Sequence, residues 1–252
     1  MINPNSFKNT ASNTKSVLNN AQMAAVNQTE GPVMIVAGPG SGKTRVITER
    51  IAHLINVGIL PNNILALTFT NKAAAEMRNR INNLIQNNNA SSIWMGTFHS
   101  IFARILRKEA HIIGYNNNFT IYDNEDSIKV VRRIIKDLNL DKDIYDTKYI
   151  FSRISLMKNN LIDKNNYLNN SELIKQDHIN KREKFINIYE KYCDVCYQSN
   201  CMDFDDLLLK THELFNKNPE ILKSYQEMFK YILIDEYQDT NKVQDSIIRQ
   251  LG

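Results

Sequence analysis

Apolar residues recur along the chain with two different spacings, and the alternation between them lays out the architecture. Short unbroken apolar runs stand at 33–37, 64–69, 93–97 and 231–234. Such runs read as strands buried on both faces, as in a parallel sheet covered by helices. Between them the spacing lengthens to that of a helix. Val46, Ile47, Ile51, Leu54 and Ile55 share one face of 43–56, closed by Gly58 and Pro61, and Ala73, Met77, Ile81, Leu84 and Ile85 share one face of 72–85. Helices are also expected at 19–27, 100–109 and 203–215. Asp123-Asn124-Glu125-Asp126 supplies the cap and acidic first turn of another reaching 138, and Pro219 starts one more. A short strand is expected at 119–122.

From 139 to 200 the pattern holds only helices, at 149–159 and 173–200, with Asn-rich joints around 165–170. The fold class is therefore α/β, a parallel sheet flanked by helices and interrupted by a helical insertion. The expected division is 17–138 for the first part of the sheet domain, 139–200 for the insertion and 201–252 for the second part. Residues 1–16 lack apolar periodicity and read as a frayed leader. The Asn runs at 87–89 and 116–118 lie at joints.

Composition narrows the function classes only a little. With 252 residues, 42% of them hydrophobic, the chain can build a real core. A formal charge of +4 permits a nucleic-acid partner without arguing for one, since phosphate binding needs local clustering. The polar start is unlike a signal peptide, and no apolar run approaches the ~18 residues of a membrane span, so a cytoplasmic protein with no membrane partner is expected. Cys193, Cys196 and Cys201 include a C-x₂-C pair that His212 could join. The odd thiol count and the helical pattern through Ile188, Tyr192 and Val195 favour reduced thiols over a metal cluster.

The candidate chemistry centres on Ala37-Gly38-Pro39-Gly40-Ser41-Gly42-Lys43-Thr44, between an apolar run and a helix. Three glycines bring successive backbone N–H groups close to one anion, and the following helix points its positive end at it. Lys43 adds a charge able to reach the β- and γ-phosphates, and the Thr44 hydroxyl is placed to ligate Mg²⁺. Ala37 stands where the usual pattern has glycine. Mg²⁺ needs a second hard oxygen, and Asp235, just past the run 231–234, meets that need; Glu236 can orient or deprotonate an attacking water. Guanine recognition by Asn-Lys-x-Asp is absent, because Asn71-Lys72-Ala73-Ala74 and Asn241-Lys242-Val243-Gln244 lack the Asp, which favours ATP. Gln22 carries the donor and acceptor that adenine recognition requires, but a helical Gln standing alone is ordinarily just solvated.

With these pieces placed, the chain resembles the amino-terminal half of superfamily 1A DNA helicases, the UvrD/PcrA/Rep group. Leu18-Asn19-x-x-Gln22-x-x-Ala25-Val26 is similar to the Q motif, Ala37–Thr44 to motif I, and Thr68-Phe69-Thr70-Asn71-Lys72-Ala73-Ala74-Ala75-Glu76-Met77 to motif Ia. Gly96-Thr97-Phe98-His99-Ser100 is similar to the next DNA-side motif. Met202-Asp203-Phe204-Asp205-Asp206-Leu207-Leu208 resembles the return into the first motor domain, and Asp235-Glu236-Tyr237-Gln238-Asp239-Thr240-Asn241 resembles motif II. The resemblance implies a RecA-like motor domain that binds ATP and Mg²⁺ and moves on single-stranded DNA toward duplex junctions, generally 3′ to 5′. Gly38, Pro39, Gly40, Ser41, Gly42, Lys43 and Thr44 would hold the phosphates. Gln22 and Arg45 would lie at the base, Asp235 and Glu236 would serve catalysis, and Phe69, Thr70, Asn71, Thr97 and His99 would face DNA.

The resemblance also implies a second, carboxyl-terminal motor domain outside these residues, so the chain reads as an amino-terminal portion that binds nucleotide and hydrolyses little by itself. Three other readings stay open: the helicase subunit of a helicase–nuclease complex, a P-loop ATPase with no DNA in which Phe69 and His99 are core, and a DNA-binding module in which nucleotide only sets affinity.

Overall fold

The computed structural model describes residues 18–85 and 91–252. The leader at 1–16 and the Asn run at 87–89 lie outside them. Three parallel strands form the main sheet, β1 (Ile64–Thr68), β2 (Trp94–Thr97) and β5 (Tyr231–Ile234), in the order β2-β1-β5. Ala66 stands beside Met95 on one side and Leu233 on the other. Every residue of β1 is buried, as the unbroken apolar run requires of a strand covered on both faces. Ile64 and Ala66 join Ile51, Leu54, Met77 and Ile81 on the face of α2 (Lys43–Asn56) and α3 (Asn71–Leu84). Leu65 and Leu67, one pleat on, pack with Phe98, Phe102, Leu207 and Ile247 of α4 (Phe98–Glu109), α10 (Phe204–Lys217) and α12 (Lys242–Leu251).

A second sheet of two short parallel strands, β3 (Thr120–Ile121) and β4 (Cys201–Met202), marks where the chain leaves the main sheet and returns. Between them lie α5 (Asn124–Asp137), α6 (Thr147–Asn159), α7 (Lys164–Leu168), α8 (Ser171–Ile179) and α9 (Phe185–Gln198). Their core is separate: Val131 and Ile134 of α5 meet Ile150, Ile154 and Met157 of α6 and Ile188 and Tyr192 of α9. Two further helices complete the described residues, α1 (Asn20–Asn27) and α11 (Pro219–Met228). Among the described residues no helix is long and apolar enough to cross a membrane.

Three expectations need correction. The run at 33–37 forms no strand: the main sheet holds β2, β1 and β5 alone, and Met34 and Val36 are each 84% exposed. A segment is a strand only when its N–H and C=O groups join a ladder, and 33–37 pairs with none of these three strands. The helix expected over 173–200 is two, α8 and α9. Asn180 Nδ2 donates to Gln176 O at 2.7 Å, Lys181 takes φ 55°, and the polar stretch Asn180–Lys184 has no apolar face to bury. The joint at 165–170 holds α7, started by Asp163, whose carboxylate accepts from Asn166 N at 2.8 Å.

Candidate functional site

α2 opens from the glycine loop. Gly40 and Gly42 have φ of 73° and 88°, conformations that favour glycine, and Gly42 is the residue that caps α2. A Cβ on Gly42 would come within 3.0 Å of Gln22 Nε2. That amide explains how α1 is held against the loop. Gln22 Nε2 donates to Ser41 O at 2.9 Å, while Gln22 Oε1 accepts from Asn19 N at 2.9 Å as half of the capping box of α1. One N–H and one lone pair of the amide remain for a ligand. Lys43 Nζ donates to Ala37 O at 3.1 Å and Gly38 O at 3.4 Å, which folds its charge back over the loop, 4.0 Å from Glu236 Oε1.

β5 delivers the opposing carboxylates. Asp235 N donates to Leu67 O at 3.0 Å, so the β1–β5 ladder runs one residue past the strand and fixes the direction of the Asp235 side chain. Thr44 Oγ1 donates to Asp235 Oδ2 at 3.1 Å across 191 positions of sequence. The other carboxylate oxygen, Asp235 Oδ1, is buried and has no hydrogen-bond partner. Burial raises the Asp235 pKa, against the lowering effect of the Thr44 hydrogen bond. A hydroxyl and a carboxylate with an unused buried oxygen form a hard-oxygen donor set, and they fit Mg²⁺. Glu236 sits in the left-handed region at φ 53°, and its Oε2 accepts from Gln238 Nε2 at 2.6 Å.

Pro39, Gly40, Gly42, Lys43, Thr44, Arg45, Asp235 and Glu236 line a cavity of about 440 Å³, of which Gln22 is not a lining residue. α3 supplies the remaining wall through Ala73, Glu76 and Arg80, the last two paired with each other. That wall was not foreseen. Its signal is the (i, i+4) Glu-Arg pair on the helix following β1, which reads as an ordinary solvated pair until the helix is seen to border the loop.

The residues expected to face DNA gather at the carboxyl ends of β1 and β2. Phe69 is half-buried, its ring 5.4 Å from that of Phe98. Thr70 caps α3 by accepting from Ala73 N at 3.1 Å, and Asn71, its first residue, is exposed. Thr97 is buried and caps α4, accepting from Ser100 N at 3.3 Å. His99 is half-buried, edge-on to the Phe204 ring at 6.0 Å. Burial lowers its pKa, partly offset by the Asp205 charge.

Away from both groups, Cys196 and Cys201 are buried and Cys193 is half-buried, all as free thiols. Cys201 Sγ donates to Cys196 O at 3.3 Å, and burial pushes the Cys193 thiol up to about 11. His212 lies on α10 beside Asn216, 3.1 Å from its amide.

Compared with known proteins, residues 18–252 match the family model described as UvrD/REP helicase N-terminal domain. The chain is 44% identical over 236 residues to the ATP-dependent DNA helicase PcrA of Leuconostoc citreum, an overlap of 93% of this chain and 31% of that protein. PcrA of Bacillus subtilis (strain 168) is 42% identical over 238 residues, and PcrA of Staphylococcus aureus (strain Mu50 / ATCC 700699) is 41% identical over 236. The chain spans 31% of the length of each of these relatives.

Proposed function

Since the chain belongs to the UvrD/REP helicase family, we propose that it forms the nucleotide-binding portion of an ATP-dependent DNA helicase, in which ATP hydrolysis drives movement along single-stranded DNA toward duplex junctions, 3′ to 5′. The observation that carries this reading is the meeting of Thr44 and Asp235 with one carboxylate oxygen left buried and unpartnered. Such an atom is costly in a finished structural network, at about 1–3 kcal/mol, and it is satisfied at once by a cation.

In this reading the loop N–H groups and the amino end of α2 bind the phosphates of ATP. Lys43 leaves the Ala37 and Gly38 carbonyls for the β- and γ-phosphates. Thr44 and Asp235 would hold Mg²⁺, which would neutralise phosphate charge there. Glu236, near Lys43 and steadied by Gln238, accepts the proton of the attacking water. Gln22 and Arg45 lie at the base. Phe69, Thr70, Asn71, Thr97 and His99 form the DNA-facing edge, where the half-buried Phe69 ring stacks on a base. A second motor domain, supplied by the whole protein, closes over the nucleotide, and residues 1–252 by themselves bind it with little turnover. The helical unit begins with α5, since Val131 and Ile134 share the core of α6 and α9.

The test is a titration of Mg-ADP or Mg-ATP into the wild-type chain and Lys43→Ala. Loss of the charge-assisted phosphate contact weakens binding by about 1.5–3 kcal/mol. Equal affinity for both proteins would remove the loop from the nucleotide site.

A further inference from the structure

α6 ends on two consecutive polar side chains that enter the fold instead of solvent. Lys158 is wholly buried, and Asn159 beside it is used at both ends of its carboxamide. Asn159 Oδ1 accepts from Asn241 Nδ2 at 2.6 Å. Asn159 Nδ2 donates to Asp205 Oδ1 at 2.9 Å and reaches back to Ser155 O at 3.0 Å. The two outward bonds join three parts of the chain: the helical insertion, the segment that follows Asp235-Glu236, and the first turn of α10.

Each end leads to a different part of the proposed machinery. Asn241 caps α12, its Oδ1 accepting from Gln244 N at 2.9 Å and its N donating to Gln244 Oε1 at 3.0 Å. The single turn Tyr237–Asp239 and the residue Thr240 separate that cap from Glu236. At the other end, the Asp205 charge acts on His99, and the neighbouring Phe204 ring meets the His99 ring edge-on. Both bonds of Asn159 are partly buried, so water does not freely replace either when it breaks. A shift of Asn241 must break a bond at Asn159 or carry Asp205 with it.

We infer that Asn159 is a positioning residue that couples the nucleotide corner at Asp235-Glu236 to the nucleic-acid edge at His99, through Asn241 on one side and Asp205 on the other. This rests on the function proposed above. A carboxamide suits the task because it presents a donor and an acceptor in one plane, and no single-function side chain of that size can bridge Asn241 Nδ2 and a carboxylate at once. Coupling of this kind is reciprocal: DNA changes nucleotide affinity by the factor by which nucleotide changes DNA affinity.

The experiment measures that factor on the full chain, by titrating Mg-ADP with and without a saturating single-stranded oligothymidylate. In wild type the oligonucleotide changes nucleotide affinity on the order of 5–150-fold, the usual span of such coupling. Asn159→Ala brings the ratio to within about twofold of unity while each ligand alone binds within about threefold of wild type. Asn159→Asp also loses the coupling, because its carboxylate still accepts from Asn241 but faces that of Asp205. The exchange Asn159→Asp with Asp205→Asn restores the hydrogen bond, since the new amide donates to the new carboxylate; the charge at 205 is lost, so the ratio recovers in part, through the Phe204–His99 contact. A merely structural role would show a fall in melting temperature with the ratio unchanged. If Asn159→Ala does not fold, Asn159→Asp and the exchange decide the matter. A retained ratio in the single variants, or no recovery in the exchange, overturns the inference. So does a wild-type chain that binds nucleotide through Lys43 but shows no response to DNA, an outcome that leaves the nucleotide site itself standing.

Discussion

Two polar clusters in this molecule are built from the same kinds of side chain and are opposite in finish. At the nucleotide corner the bonding is incomplete: Lys43 rests on two carbonyls at 3.1 and 3.4 Å, and Asp235 uses one oxygen of two. At the junction between insertion and sheet domain, every atom is used. Lys158 Nζ lies 2.7 Å from Asp203 Oδ2 and 2.8 Å from Asp206 Oδ1. Tyr192 donates to Asp203 Oδ2 at 2.7 Å, and the capping box of α10 occupies Asp203 Oδ1 and Asp206 Oδ2 through the Asp206 and Asp203 N–H groups. Burial alone would lower the Lys158 pKa, yet the two carboxylates hold it well above its ordinary value. The saturated cluster is structural. The unsaturated one keeps its hydrogen-bonding capacity for something that arrives.

The sharpest way to break this contrast is to remove the charge at the centre of the junction. Lys158→Met keeps the length of the side chain and leaves two buried carboxylates facing each other without a cation. Breaking a buried pair in this way costs about 3–5 kcal/mol, to be read as the shift in urea midpoint at constant slope. Nucleotide affinity per folded molecule stays at the wild-type value. A loss below about 1 kcal/mol, the range of an exposed ion pair, would show that water reaches the cluster.

The corner should answer in the reverse sense. Asp235→Asn removes a carboxylate whose burial already raises its pKa, so folding stability changes by no more than about 1 kcal/mol. Nucleotide binding in the presence of Mg²⁺ weakens by about 1.5–3 kcal/mol, the worth of a charge-assisted contact, while binding in excess chelator matches wild type. Equal weakening with and without Mg²⁺ would separate Asp235 from the metal and make it a plain structural acceptor.

What was legible in the sequence follows the same divide. The Thr44–Asp235 meeting spans 191 positions and was still foreseen, because a phosphate loop and a carboxylate at a strand end each carry a chemical requirement that the other satisfies. β1 was legible because an unbroken apolar run has few fates in a covered sheet. The run at 33–37 looked identical and failed, since apolarity states a preference for burial and says nothing of whether a neighbouring strand supplies the ladder. Lys158 was not legible at all: a lysine near a helix end reads as solvated, and its partners Asp203 and Asp206 lie beyond the three helices α7, α8 and α9. The available hint was the Asp-x-x-Asp capping box, which places two carboxylates within reach of each other and so calls for a cation. Asn159 escaped in the same way, among asparagines so frequent that none stands out.

The smallest expected effect tests the charge imbalance of the junction, where one lysine serves two carboxylates. Burial, and then the neighbouring Asp203 charge, raise Asp206 to about 6, against the lowering influence of Lys158 and Lys210. A carboxyl that binds its proton more readily folded than unfolded makes the folded state more stable as pH falls from about 7 toward 5, since the native state then holds the extra proton. Over that window the gain is on the order of 1 kcal/mol, from about 1.4 kcal/mol per pH unit below the raised value. His99 and His212, whose pKa values burial lowers, work the other way over the same range. The measurement is therefore a difference: denaturant midpoints of wild type and Asp206→Asn at pH 7 and pH 5. Asparagine keeps the oxygen that accepts from Asp203 N and carries no charge, so the variant equals or exceeds wild type at pH 7. Wild type then gains on it by on the order of 1 kcal/mol at pH 5. A difference that stays flat, or widens in favour of the variant, would mean that Lys158 fully neutralises both carboxylates, and that the junction is as balanced in charge as it is in hydrogen bonds.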